Sequence, residues 1–196
     1  MAKGLDTVAH VYASALIELA FGKGVPGEVL RDIQEVGRLL ENDKRAFAFF
    51  ITPNIRKEAK RQVIDRAFGG RVSEYVQNFL KIVIDKGRAD ALPRIVHAFV
   101  AMYHERQGEL VVKVSSAQPL EDDERDRLRD VLRKKYRPKG YNEVLLEEKV
   151  DEKLLGGVIV RTGDTLYDGS LKTRLVAIGD RLRRSRLKTE EVVHED

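Results

Sequence analysis

Gly22-Lys23-Gly24-Val25-Pro26-Gly27 matches the dinucleotide-binding pattern G-x-G-x-x-G letter for letter. That pattern cradles a pyrophosphate only where it follows a strand and opens a helix, so that the helix N-terminus faces the phosphates. Here it follows a stretch of helical period and Pro26 stiffens its middle, so the expectation is a helix–helix loop. The chain has no G-x-x-x-x-G-K-[ST] loop for nucleotide phosphates and no G-x-S-x-G elbow for a nucleophilic serine. Its four histidines, His10, His97, His104 and His194, show no i, i+4 pair and no H-E-x-x-H setting. His97 and His104 stand seven residues apart and read as rim residues rather than zinc ligands. Asp164, Asp168 and Ser170, near Gly156-Gly157, could in principle hold a divalent cation. Turn closure and capping of a following helix by Asp168 or Ser170 explain them better. The residues thus predict no catalytic group, no cofactor and no metal.

Chemistry by cysteine is excluded outright, because there is none. Disulfides, zinc–thiolate sites, iron–sulfur clusters and thiol nucleophiles go with it. With 42% hydrophobic and 35% charged residues, the 196-residue chain has the composition of a soluble globular protein rich in helix formers. The longest apolar run, Ala46 to Ile51, is far short of the roughly 20 residues of a membrane span. The start lacks the continuous apolar stretch of a signal peptide, so an intracellular protein without direct membrane insertion is expected. The net charge of +4 is too slight to imply nucleic acid. Leu171 to Lys188 does carry seven basic residues against Asp180. An RNA-binding helix is therefore the alternative reading, but no aromatic stacking cluster accompanies the charges. A metal-assisted hydrolase at Asp164 and Asp168 ranks below it. The basic helix could also meet acidic residues of a partner helix and speed encounter.

The period of the apolar residues divides the chain near Gly108. Val8, Val11, Tyr12, Ala15, Leu16, Leu19 and Ala20 recur at helical spacing and end at Gly22 and Gly24. A second helix carries Val29, Ile33, Val36 and Leu40. A short third, Ala46 to Phe50, stops at Thr52-Pro53-Asn54. A fourth carries Ala59, Val63 and Ala67. A fifth, with Ser73 as its candidate N-cap, carries Val76, Phe79, Leu80 and Val83, and a sixth runs from Leu92 to Tyr103. Six such stripes can bury themselves only against one another. Beyond Gly108, Leu110, Val112 and Val114 alternate as in a strand. A charged helix, Glu121 to Tyr136, follows with Leu128, Val131 and Leu132 inside. Val144 to Val150 alternates again, Gly157 to Arg161 is a third strand, and Thr162-Gly163-Asp164 turns into a short fourth. Asp168-Gly169-Ser170 opens a last helix with the stripe Leu171, Leu175, Ile178 and Leu182. The fold class is α+β, mainly α: a six-helix bundle over residues 1–107 and a small α/β domain over residues 108–196.

Leu154-Leu155-Gly156-Gly157-Val158-Ile159-Val160-Arg161-Thr162-Gly163-Asp164, followed by Asp168-Gly169-Ser170-Leu171-Lys172-Thr173-Arg174-Leu175, resembles the delta subunit of the bacterial rotary ATP synthase, the counterpart of the mitochondrial oligomycin-sensitivity-conferring protein. Val11-Tyr12-Ala13-Ser14-Ala15-Leu16 resembles the family's opening helix. Asn78-Phe79-Leu80, Gly87-Arg88 and Leu92-Pro93-Arg94-Ile95 resemble its fifth and sixth helices, and Val112 to Leu120 its first strand exit. These markers run in family order over about Ala9 to Leu182.

The resemblance implies a non-catalytic stator subunit on the cytoplasmic face of the bacterial inner membrane. Its helical domain would receive N-terminal segments of alpha subunits on the catalytic head, and its second domain would grip the b-type stalk helices. In the family the alpha segment lies between the first and fifth helices. By position this assigns it Tyr12, Leu16, Leu19, Val76, Phe79, Leu80 and Val83.

Overall fold

The computed structural model describes residues 2–163 and 165–179. Two compact units follow one another, Met1–Gln107 and Gly108–Asp196. The first contains α1 (Ala2–Gly22), α2 (Pro26–Asn42), α3 (Lys44–Ile51), α4 (Lys57–Phe68), α5 (Glu74–Asp85), a 3-10 turn (Ala89–Ala91) and α6 (Leu92–Gln107). Asp43 caps α3, its carboxylate accepting from the N–H groups of Arg45 at 2.9 Å and Ala46 at 3.0 Å. The same helix stops one residue before Thr52, which is extended as residues preceding proline must be.

The interior of this unit is a single apolar cluster in which Ile33, Ile64, Leu80, Ile95 and Phe99 are all but inaccessible. α1 runs along α6 and presents Ala9, Ala13, Leu16, Ile17 and Ala20 to it. Three of these are alanines, which let the helices approach closely, while Val11, Ala15 and Leu19 turn outward, against the stripe expected from spacing. Arg94 with Asp6 at 3.3 Å and Arg106 with Glu18 at 2.6 Å tie the two helices at their edges. α2 meets α6 at Gly37, where a Cβ would lie 2.9 Å from a Val96 methyl. The buried face of α4 also departs from expectation. Ala59, Val63 and Ala67 are only half-buried, whereas Lys60, Ile64 and Phe68 point inward. Lys60 is tolerated there because its Nζ donates to the carbonyls of Phe50 at 2.6 Å and Thr52 at 2.8 Å, at the C-terminal end of α3. Ser73 stands at the N-cap of α5 but caps nothing with its side chain, whose hydroxyl is buried without a partner among the described residues. Its backbone N–H donates to Asp32 at 2.7 Å instead.

The second unit contains β1 (Glu109–Ser116), α7 (Asp122–Tyr136), a 3-10 turn (Arg137–Lys139), β2 (Glu143–Val150), β3 (Val158–Thr162), β4 (Thr165–Asp168) and a final helix, α8, described over residues 171–179. The sheet order is β2-β1-β3-β4. β1 and β2 are parallel, with α7 as their crossover, and the other two pairings are antiparallel. Leu110, Val112, Val114 and Val160 face Leu132 and Tyr136 of α7 in a second, separate core. Val131, expected inside, is 63% exposed. A reciprocal capping box between Glu121 and Glu124 starts α7. Arg125, shared between Asp122 and Glu148 at 2.6 Å each, clips the helix to β2. At the other end Tyr136 Oη lies 2.8 Å from Thr162 and 3.1 Å from Tyr167.

The turn into β3 depends on glycine. Gly157 adopts φ +77, and a Cβ there would strike the Gly169 carbonyl oxygen. Gly163 adopts φ +53 in open space. Gly157→Ala therefore costs the second unit roughly 2–4 kcal/mol, backbone strain and collision together. Gly163→Ala costs only about 1–2 kcal/mol. Urea denaturation followed through the amides of β1 and β3 separates the two, and equal losses at both positions contradict the assignment.

Candidate functional site

The outward residues of α1 do not stand alone. On α5, Tyr75 and Ile82 are likewise exposed, at 37% and 52%. Phe79 lies between them in sequence and meets Tyr12 of α1 edge to face, at 6.3 Å between ring centroids and 71° between planes. The two helices thus touch through a ring pair and leave Val11, Ala15 and Leu19 on one side and Tyr75 and Ile82 on the other. Val11 is 63% exposed and Leu19 40%, values a solvated helix surface does not favour for residues in register at i, i+4 and i+8. Side chains so arranged outline an apolar furrow over Tyr12 and Phe79, of the kind that can take the apolar face of another helix.

Of the residues assigned to this surface by position, Tyr12, Leu19 and Phe79 line it. Leu16, Val76, Leu80 and Val83 do not reach it. They are between 0% and 2% exposed and fill the bundle core, because the inner and outer faces of a helix cannot be occupied by the same side chains. Val11, Ala15, Tyr75 and Ile82 are additions. For Val11 and Ala15 the signal in the sequence was the alanine pair Ala9 and Ala13, which lies on the face that packs along α6.

The second unit has an apolar surface of its own. Leu171, Leu175 and Ile178 of α8 are all exposed, as are Leu155 and Leu166. Lys172 and Arg174 stand among them on α8. Leu155 also lines a cleft of about 470 Å3 between the β1–α7 turn, at Ala117 to Glu121, and the glycine turn at Gly156-Gly157. Leu182 and the basic residues from Arg181 onward lie outside the described residues.

Other candidate chemistry dissolves into ordinary structure. The Gly22 to Gly27 segment joins α1 to α2, with no strand before it and Gly24 at φ +72. His97 sits 3.8 Å from Glu41 on the surface, and His104 stacks edge to face against Tyr103. His10 is exposed, and His194 falls outside the described residues, as does Asp164. Asp168 is engaged by the start of α8. Its carboxylate accepts from the Ser170 N–H at 2.9 Å and the Thr173 hydroxyl at 2.8 Å, while the Ser170 hydroxyl accepts from the Thr173 N–H at 3.3 Å.

Those donors, the Ser170 side chain and backbone first and Thr173 next, hold the Asp168 carboxyl below the usual carboxylate range. A group whose pKa falls on folding stabilises the fold above its unfolded value and stops doing so as pH drops through the folded one. Amide exchange at Ser170 and Thr173 should therefore stay slow through pH 5 and accelerate only below the ordinary aspartate range, about pH 4. Asp168→Asn should show the fast behaviour already at neutral pH. Equal exchange in the two proteins removes Asp168 as the cap.

Three comparisons bear on identity. The ATP synthase delta (OSCP) subunit family matches residues 8–182. ATP synthase subunit delta of Acetivibrio thermocellus is 33% identical over 171 residues, covering 87% of this chain and 94% of that protein. The subunit of the same name from Symbiobacterium thermophilum is 38% identical over 175 residues, covering 89% and 92%. Among solved structures, a chain of the Toxoplasma gondii mitochondrial ATP synthase hexamer shares the fold, with a TM-score of 0.66 and 20% identity over 89% of this chain and 96% of that one.

Proposed function

This chain belongs to the ATP synthase delta (OSCP) subunit family, and we propose that it ties the catalytic head of that enzyme to its peripheral stalk by packing alone. Delta is a non-catalytic, stator-associated subunit of the complex. The furrow between α1 and α5 receives the apolar face of an alpha-subunit N-terminal helix. The exposed stripe of α8, with its basic neighbours, receives the b-type stalk helices. The head is then prevented from turning with the rotor, at the cytoplasmic face of the bacterial inner membrane. No helix among the described residues is long and apolar enough to cross a membrane.

The observation that carries this reading is the matched pair of apolar rows on α1 and α5 over the Tyr12–Phe79 contact. A surface that resists torque needs wide burial without bond chemistry. Two modest contacts on one chain reinforce each other through effective concentration. Covering one leucine- or isoleucine-sized side chain contributes about 1.5–3 kcal/mol, so each removal should be visible in affinity.

Leu19→Asp and Ile82→Asp, both at exposed positions, leave the bundle folded and weaken binding to the alpha-containing head by roughly 10- to 100-fold each. Leu175→Asp leaves that affinity unchanged and weakens capture by b-type stalk subunits. The readout is titration of the full chain against stripped head particles and, separately, against stalk subunits. Head binding that is indifferent to Leu19 and Ile82 in folded variants rejects the furrow as the alpha site.

A further inference from the structure

A second binding feature lies at the α3–α4 corner of the first unit, where a cavity of about 420 Å3 opens. Ile51, Pro53, Ile55 and Ile84 supply its apolar wall, and Lys57, Lys60 and Asp90 its charge. Lys60 is only 8% exposed. Its two hydrogen bonds go to the backbone carbonyls of Phe50 and Thr52, and no carboxylate pairs with it among the described residues. An ammonium carries three donors, so one remains unfilled. A buried charge balanced only by two carbonyl dipoles calls for a counter-ion. Lys57 donates to the Asp85 carbonyl at 2.6 Å and keeps two donors. The Asp85 carboxylate is itself taken up by the fork of Arg61; Lys57 acts on it through its charge, and Lys60 makes no bond to it. Asp90 is exposed and makes no ion pair among the described residues. Its charge on the same wall disfavours a ligand with a second negative group. Ile51, 43% exposed, is left for an apolar body to cover.

We propose that this cavity binds a small apolar monocarboxylate, of about six to ten carbons for a pocket of this class, with its carboxylate on Lys60 and its alkyl or aryl body against Ile51, Ile55 and Ile84. The chemistry selects for one negative charge joined to an uncharged apolar tail. Neither a dicarboxylate nor a phosphate satisfies the wall that carries Asp90. Binding to the folded bundle alone raises its stability in proportion to ligand saturation.

Octanoate titrated into the full chain carrying labelled isoleucine methyls is the direct test, with octanol, octylammonium and octanedioate as comparators. The expected result is saturable shifts at Ile51, Ile55 and Ile84, with octanol and octanedioate at least roughly tenfold weaker and octylammonium silent. Lys60→Met should abolish the preference for octanoate over octanol. Should that variant fail to fold, Ile51→Asp at its exposed position should weaken octanoate by at least about tenfold. Equal binding of octanoate and octanol to the unmodified chain overturns the proposal. Shifts confined to Ile82 and its neighbours on the α1–α5 furrow do the same, as does no saturable shift up to about 10 mM.

Discussion

An α-helix that is apolar on every side can bury only one of them. In α1 the buried side carries Ala9, Ala13 and Ala20 beside Leu16 and Ile17, and it packs along α6. Van der Waals contact between helices improves as their axes approach, and alanine permits the approach that valine and leucine obstruct. Val11 and Leu19 become a surface, Tyr12 reaches across to Phe79, and α5 adds Tyr75 and Ile82. The furrow is a by-product of packing, and the same alanines that hold the bundle together also shape the place where another helix can lie.

The second unit solves a different problem. Its small core of Leu110, Val112, Val114, Leu132, Tyr136, Val144 and Val160 needs help from its margins. Much of that help is local chemistry: the capping box at Glu121, the Arg125 clip, the turn at Gly157 and the Asp168 cap of α8. The ion pairs spaced three and four residues apart along α7, such as Asp126 with Arg129 and Asp130 with Arg133, are solvent-exposed and contribute little each. Acidic residues in its first turn and basic ones in its last do align with the helix dipole. α8 keeps its apolar side chains Leu171, Leu175 and Ile178 on the surface and adds none of them to this core.

Periodicity alone located all six helices of the bundle, the change of regime at Gly108 and four strands, because spacing of 3.6 against 2 survives in any amphipathic element. The glycines and Asp168 were legible through turn chemistry. Which way each stripe points was less legible. Ala59, Val63 and Ala67 resemble an inner face, yet the inward position next to them is a lysine whose acceptors, the carbonyls of Phe50 and Thr52, belong to another helix end. Val131 fits the α7 stripe by spacing but sits on its rim. Leu16, Val76, Leu80 and Val83 share the spacing of an outward stripe, yet all four are buried in the bundle core. Spacing gives the angle between residues on a helix; only the neighbour's size fixes which angle faces in.

The two cores share no residue: one is built wholly from α1 to α6, the other wholly from the elements after Gly108. Each therefore has its own apolar interior to expose on unfolding, and all-or-none behaviour over the whole chain does not follow from the packing. The cost of local opening is then set within each core by that core's own contacts.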